Sequence, residues 1–394
     1  MKKYRVGLLD QGEIYGGAEM FHLEVLENIS KEQWDVFVVA SSHMIETYQS
    51  RVIAIPDIHI TTLPLASLAI SPKSMWSFFK MILQIRRIVK KNNIQLLHSN
   101  TARMHIVSSI VSKWTKVPLV WMVHDTTIPV RLLPFLTKFP SHIFCVSDII
   151  VSWIKNHTPA TVHHKLSILP NGVDISLVEK EVLTAPIKDN RRKTFGFRKD
   201  TSYIGIMGRV DIGKGQDVFI KAIKILLTDY PAHQKFHGLI IGGETLTSLE
   251  RKAYVKSLKQ YIKKEGLEAH VTFLGHQELR FALLKKLSIL VQASTFPEPF
   301  GRTLIEGFHA GVPVIASKIG AMATMITYGV NGLVFEPGNP RDLAQKISLL
   351  LEDNHLAETL RTNARIEARL HYTLKNVLER LQKEWFKTIK SSKS

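Results

Sequence analysis

Residues Ser294 to Ala316 read Ser-Thr-Phe-Pro-Glu-Pro-Phe-Gly-Arg-Thr-Leu-Ile-Glu-Gly-Phe-His-Ala-Gly-Val-Pro-Val-Ile-Ala. Pro297 and Pro299 hold the backbone around Glu298 extended and deny it a helix, so this carboxylate belongs to a loop. A helix can begin only after Gly301. Leu304, Ile305 and Phe308 supply its apolar face, and Gly311 stops it before Val312 to Ala316, a run that reads as a buried strand. The backbone amides of Gly301, Arg302 and Thr303 then point out of a helix N-terminus unpaired, which makes a ready anion site. Glu306 lies about one turn deeper. Amides and carboxylates together suit a ligand that carries both phosphate and hydroxyls.

Outward from this stretch the chain alternates strand and helix. Tyr203 to Met207, Gly238 to Gly243, Val271 to Gly275 and Leu287 to Gln292 read as strands, with helices over Gln216 to Leu227, about 247–265 and about 279–286 between them. The first half repeats the pattern: strands over Tyr4 to Leu9, Trp34 to Ala40, Ile94 to His98, Leu119 to His124 and Ile143 to Val146, with helices near 18–29, 74–91 and 102–114. Such alternation argues parallel sheets covered on both faces, which bind ligands beyond the carboxyl ends of their strands. A chain of 394 residues is long for one such domain and comfortable for two.

Two glycine-containing loops follow first strands. Gly208-Arg209-Val210-Asp211-Ile212-Gly213-Lys214-Gly215 has the glycine and lysine spacing of a P-loop, but Gly215 stands where a P-loop needs Ser or Thr to hold magnesium. A nucleotide hydrolase is the competing reading of that loop, and it has no place for Glu298 and Glu306. In the first half, Asp10 to Gly17 is a polar turn whose Gly16-Gly17 allows close approach of backbone to a ligand. It is not the dinucleotide fingerprint, because Gly-x-Gly-x-x-Gly is missing and the second strand ends Val38-Val39-Ala40-Ser41 without an acid. His98, Ser99 and Asn100 lie at one strand end and His124-Asp125 at another; a histidine there either meets a ligand or merely caps the strand.

The 52 Lys+Arg against 34 Asp+Glu give a net charge of +18, concentrated where no acidic residue occurs, between Asp57 and Asp125. Lys73, Lys80, Arg86, Arg87, Lys90, Lys91, Arg103, Lys113 and Lys116 fall in that interval. A basic amphipathic helix over 74–91 either favours an anionic membrane surface or packs its apolar side on a sheet. Specific nucleic-acid binding is not expected, for want of an aromatic stacking motif or zinc-ligand spacing. The single cysteine, Cys145, excludes an intramolecular disulfide and suits a reducing compartment. With no run of eighteen apolar residues, the expectation is a cytoplasmic protein that does not span the membrane, at most peripheral on its inner face.

Glu298 and Glu306, embedded in Glu-Pro-Phe-Gly and followed by Ala-Gly-Val-Pro-Val-Ile-Ala, resemble the signature of the group 1, or family 4, retaining glycosyltransferases of the GT-B fold. The resemblance extends to Gly16-Gly17-Ala18-Glu19, to Pro170-Asn171-Gly172-Val173-Asp174 and to Asn331-Gly332-Leu333. It departs at Gly320-Ala321-Met322-Ala323-Thr324, where the family usually has Gly-Gly-x-x-Glu, so Thr324 replaces that carboxylate with a hydroxyl. The fold implied is α/β, with two Rossmann-like doubly wound parallel-sheet domains facing across a cleft. Residues 1–172 would form the acceptor-side domain, 173–200 a crossover linker, 201–372 the nucleotide-sugar domain, and 373–394 a helix returning to the first domain.

The activity implied is transfer of a hexosyl unit from a nucleotide diphosphate sugar to a hydroxyl of a glycan or lipid-linked glycan, with bacterial surface-polysaccharide assembly the preferred setting by analogy. Arg209 and Lys214 would sit on the diphosphate, with Phe300, Gly301, Arg302 and Thr303 beside them. Glu298 would meet the donor sugar, Glu306 the ribose hydroxyls, His124 the sugar or reacting centre, and Gly16 and Gly17 the pyrophosphate and acceptor. Retention would follow from same-face attack, the leaving phosphate taking the acceptor's proton. Because cations can do the work of a metal and no Asp-x-Asp is present, neither metal nor cofactor is expected. A sugar-nucleotide epimerase or phosphorylase of the same fold is the alternative.

Overall fold

The computed structural model describes residues 3–10, 16–41, 51–52, 55–63, 72–181, 195–230, 235–244 and 248–392. Contacts divide the chain into two units: Met1–Gly172 with Leu374–Ser394, and Val173–Thr373.

The first unit is built on a seven-stranded sheet of β1 (Tyr4–Leu9), β2 (Trp34–Ser41), β3 (Ile58–Leu63), β4 (Leu96–Ser99), β5 (Leu119–Val123), β6 (His142–Cys145) and β7 (Leu166–Ile168), in the order β3-β2-β1-β4-β5-β6-β7. Every paired neighbour is parallel. Strands β4 and β5 are buried along their whole length, as a sheet covered on both faces requires. Cys145 closes β6 as a buried residue, and burial pushes its thiol up to about 12, so it is inert packing. The last helix, Leu374–Ser391, belongs to this unit: Trp385 is fully buried, its ring 5.3 Å from that of Trp34, and its Nε1–H donates to His98 Nδ1 at 3.1 Å.

Helix Pro72–Lys91 buries one apolar face and leaves other apolar side chains in solvent. Met81, Ile82, Ile85 and Val89 are buried in the first unit's core, while Met75, Trp76, Phe79 and Leu83 stand exposed.

The second unit carries a six-stranded sheet of β8 (Ser202–Met207), β9 (Phe236–Ile241), β10 (Val271–Gly275), β11 (Ile289–Gln292), β12 (Val314–Ser317) and β13 (Leu333–Phe335), ordered β10-β9-β8-β11-β12-β13 and again parallel. Its order reverses between β8 and β11, the switch point where loops open a ligand crevice.

The linker expected over 173–200 is described at its two ends, 173–181 and 195–200. Val173 pairs with Thr373, Ile175–Lys180 is helical, and the Glu181 carboxylate accepts the Phe281 N–H at 2.7 Å. At its far end Phe197 packs on Tyr203 with ring centroids 4.7 Å apart. These ends are docked on the second unit because they carry apolar and capping groups; the basic part, Lys188 to Lys193, lies outside the described residues.

Candidate active site

In the second unit, the loops after β8 and β11 lie against each other. Gly215 caps the helix Gln216–Asp229 in a left-handed conformation (φ 77°), and a Cβ there would fall 1.8 Å from the Ala293 carbonyl oxygen. That contact excludes the Ser or Thr a P-loop needs at this position. The Thr295 N–H donates to Gly213 O at 2.9 Å, which ties the two loops together, and Gln216 Nε2 donates to Arg209 O at 3.0 Å.

This clamp brings Lys214 onto Glu298, with Nζ 2.8 Å from Oε1. The same oxygen accepts from Gln292 Nε2 at 3.2 Å and from Ser294 Oγ. Behind it, Gly320 is left-handed (φ 59°), and an added Cβ would meet Glu298 N at 2.5 Å; the Ala321 N–H donates to Glu298 O at 2.9 Å. Gly320 therefore serves even where the family's following pattern is lost, and Thr324 turns its hydroxyl onto Ala321 O at 3.0 Å.

Four residues past Glu298, the helix Arg302–Ala310 begins after Gly301 with no side-chain cap, so its first amides are not satisfied by a capping side chain. Phe300 is buried and meets the Tyr372 ring edge-on at 6.2 Å; Thr303 is half-buried. Glu306 is buried beneath this terminus, and its Oε1 takes Arg302 Nε at 3.1 Å and Arg280 Nε at 3.2 Å. Arg209 differs from these cations: it is exposed, with no ion pair to its guanidinium among the described residues.

Gly16, Gly17 and His124 are in the first unit. Gly16 precedes helix Gly17–Asn28 in extended backbone, its N–H held by Glu19 Oε2 at 3.0 Å. Burial, and then Asp10, raise the Glu19 carboxyl above its ordinary value. Residues 11–15 of the turn lie outside the described set. His124 Nε2 lies 2.8 Å from Asn100 Oδ1, so the neutral ring donates there. Burial, then the neighbouring His22, push His124 down to about 4, and His98 is driven well below the usual histidine range by burial, His22 and His124. The histidine at the β5 end is thus held neutral and oriented. Asp10 and His22 form a buried pair at 2.7 Å.

A fourth histidine is structural. His105 is stacked on Trp121 at 3.9 Å, bonded to Ser99 Oγ and Leu136 O, and pushed by burial from 6.5 to about 3. Between those values the unfolded chain binds a proton that the folded chain does not, so stability falls as pH drops through this window. From pH 7 to pH 5, His105 alone should remove about 2 kcal/mol. Urea unfolding at both pH values checks this: His105→Asn should lose less than wild type, and equal losses would count against it.

Residues 15–177 match the family described as Glycosyltransferase Family 4, and residues 187–367 the family described as Glycosyl transferases group 1. The chain belongs to these glycosyltransferases. An uncharacterized glycosyltransferase of Methanocaldococcus jannaschii is 25% identical to it over 291 residues, 71% of this chain and 72% of that protein. A D-inositol 3-phosphate glycosyltransferase of Nocardioides sp. is 22% identical over 385 residues, 90% of this chain and 82% of the relative. Among solved structures, a glycosyltransferase from Rickettsia africae matches with TM-score 0.81 at 20% identity, covering 99% of each chain. Anabaena HepE in complex with UDP matches with TM-score 0.78 at 22% identity, over 97% of this chain and 100% of that one. At such identity these likenesses speak to the fold, which is GT-B.

Within this glycosyltransferase the structure gathers Lys214 with Glu298, and Arg302 with Glu306. Reading by sequence passed over the groups that hold them: Gln292 and Ser294 on Glu298, Arg280 on Glu306, Asn100 on His124. Gln292 ends β11 and Ser294 follows two residues later, so the rule that ligands bind beyond strand ends could have marked both. Arg280 stands outside any motif.

Proposed function

We propose that this glycosyltransferase moves a hexosyl unit from a nucleotide diphosphate sugar to a hydroxyl of a glycan or lipid-linked glycan, with retention, in bacterial surface-polysaccharide assembly at the cytoplasmic side of the membrane. The carrying observation is the Lys214–Glu298 clamp a few residues ahead of an uncapped helix N-terminus, with Arg209 exposed on the Lys214 loop. Cleaving the donor leaves a diphosphate, and fixed cations and amides are the groups that stabilise such a leaving group. In each carboxylate the observed contacts converge on Oε1; the other oxygen is assigned to hydroxyls, of the sugar at Glu298 and of the ribose at Glu306. Neutral His124 is assigned to the sugar or reacting centre, and Gly16-Gly17 to the pyrophosphate and acceptor. That HepE was crystallised with UDP, and with UDP-glucose, supports a nucleotide-sugar donor and makes UDP-glucose the first probe.

Ligand-observed NMR with UDP, GDP, ADP and their common sugars tests the donor site, and product analysis tests the reaction. Selective binding of one nucleotide with transfer to an acceptor sustains the reading. An isomerised donor formed without acceptor would replace transfer by epimerisation. Because cations on the protein can offset the diphosphate charge, transfer should continue undiminished in EDTA, and a strict magnesium requirement would overturn metal independence.

A further inference from the structure

We propose that the outward strip of helix Pro72–Lys91 is a docking surface for an anionic lipid bilayer, a role that stands apart from the donor site. The helix runs 20 residues, about 30 Å, and carries two apolar faces where a helix on a sheet needs one. Met81, Ile82, Ile85 and Val89 fill the core on one side. On the other, Met75 is 65% exposed and Trp76 58%, with Phe79 and Leu83 also exposed. At about 100° per residue, 75, 76, 79 and 83 fall within one arc about 100° wide, whose centre is turned about 120° from that of the buried face.

The strip is ordered by its own contacts. Trp76 and Phe79 stack with centroids 6.0 Å apart, and Lys80 Nζ sits 5.4 Å from the Trp76 ring. By the same rotation Lys80, Arg87 and Lys91 flank the arc, and Arg86 and Lys90 continue it one to two turns further along. All but the half-buried Arg86 are exposed. The helix has no acidic residue, and none occurs from Ile58 to His124. Aromatic rings at the centre and cations at the rim match the acyl boundary and the phosphates of an anionic leaflet. A protein partner of ordinary mixed charge would leave this one-sign rim unmatched.

The experiment spins the intact protein, without donor, with vesicles of phosphatidylcholine alone and of phosphatidylcholine mixed with phosphatidylglycerol. Binding to the anionic vesicles should exceed binding to the neutral ones by about tenfold or more and fall as salt is raised. Trp76→Ser with Phe79→Ser should abolish it, and Lys80→Gln with Lys90→Gln and Lys91→Gln should remove the preference for anionic lipid. All five positions are exposed, so both variants should keep wild-type nucleotide binding, which the NMR assay reads separately. Equal sedimentation of wild type and the Trp76→Ser, Phe79→Ser variant would overturn the proposal. So would a dimer in solution that this variant dissolves, which would give the strip to a second copy. Neither result would touch the assignment of the donor site.

Discussion

Arg209→Ala is expected to lower kcat/KM for transfer by about 10²–10³-fold, the loss typical when one donor to developing negative charge is removed from a catalytic site. Arg209 is exposed and makes no ion pair among the described residues, so its removal leaves no buried group unpaired and should not weaken the fold. The same variant should lose affinity for whichever nucleotide diphosphate the wild type binds. Loss of transfer with unchanged nucleotide affinity would place Arg209 on the transition state alone; full activity would remove the diphosphate from this loop.

Glu298→Gln is expected to separate chemistry from nucleotide binding. Its carboxylate is the counter-ion of Lys214 and collects the Gln292 amide and Ser294 hydroxyl on the same oxygen. Replacing it with an amide keeps the shape and removes the charge. Lys214 is then released toward the diphosphate, so nucleotide affinity should hold or rise. Transfer should still fall by about 10²-fold or more, because a charge-assisted hydrogen bond to the sugar is lost where it counts. Lys214→Ala should do the reverse on binding, weakening the nucleotide. If Glu298→Gln and Lys214→Ala weakened nucleotide binding equally, Glu298 would belong to the phosphate site and the sugar would need another carboxylate. The double variant should be far from additive, since the two groups share one contact.

Much of this site could be read from the chain because its parts are local. Pro297 and Pro299 around Glu298, the start of a helix after Gly301 and its stop at Gly311 are written in neighbouring residues, and the helix found is Arg302–Ala310 with Gly311 left-handed at φ 70°. Strands β1 and β10 came out at the limits their apolar runs suggest, Tyr4–Leu9 and Val271–Gly275. Two strands carry no such run. Edge strand β3 exposes His59, Thr61 and Thr62, and β7 has three residues, so neither shows the continuous apolar pattern of a buried strand. The helix Asn354–His371 was passed over as well.

The sequence by itself determined the α/β class, the family, and the loop-to-helix junction that offers amides and carboxylates together. It did so because strand burial, proline stiffness and glycine turns act over a few residues. Only the tertiary structure decided which groups hold the carboxylates and why certain glycines cannot change. Lys214 reaches Glu298 across 84 positions, and Trp385 reaches His98 across 287. Such contacts leave no period or motif in the chain, since hydrogen bonds and ion pairs are fixed by where folded backbones cross. Gly215 is required by the Ala293 carbonyl and Gly320 by the Glu298 backbone, neighbours that exist only once β8, β11 and β12 lie side by side.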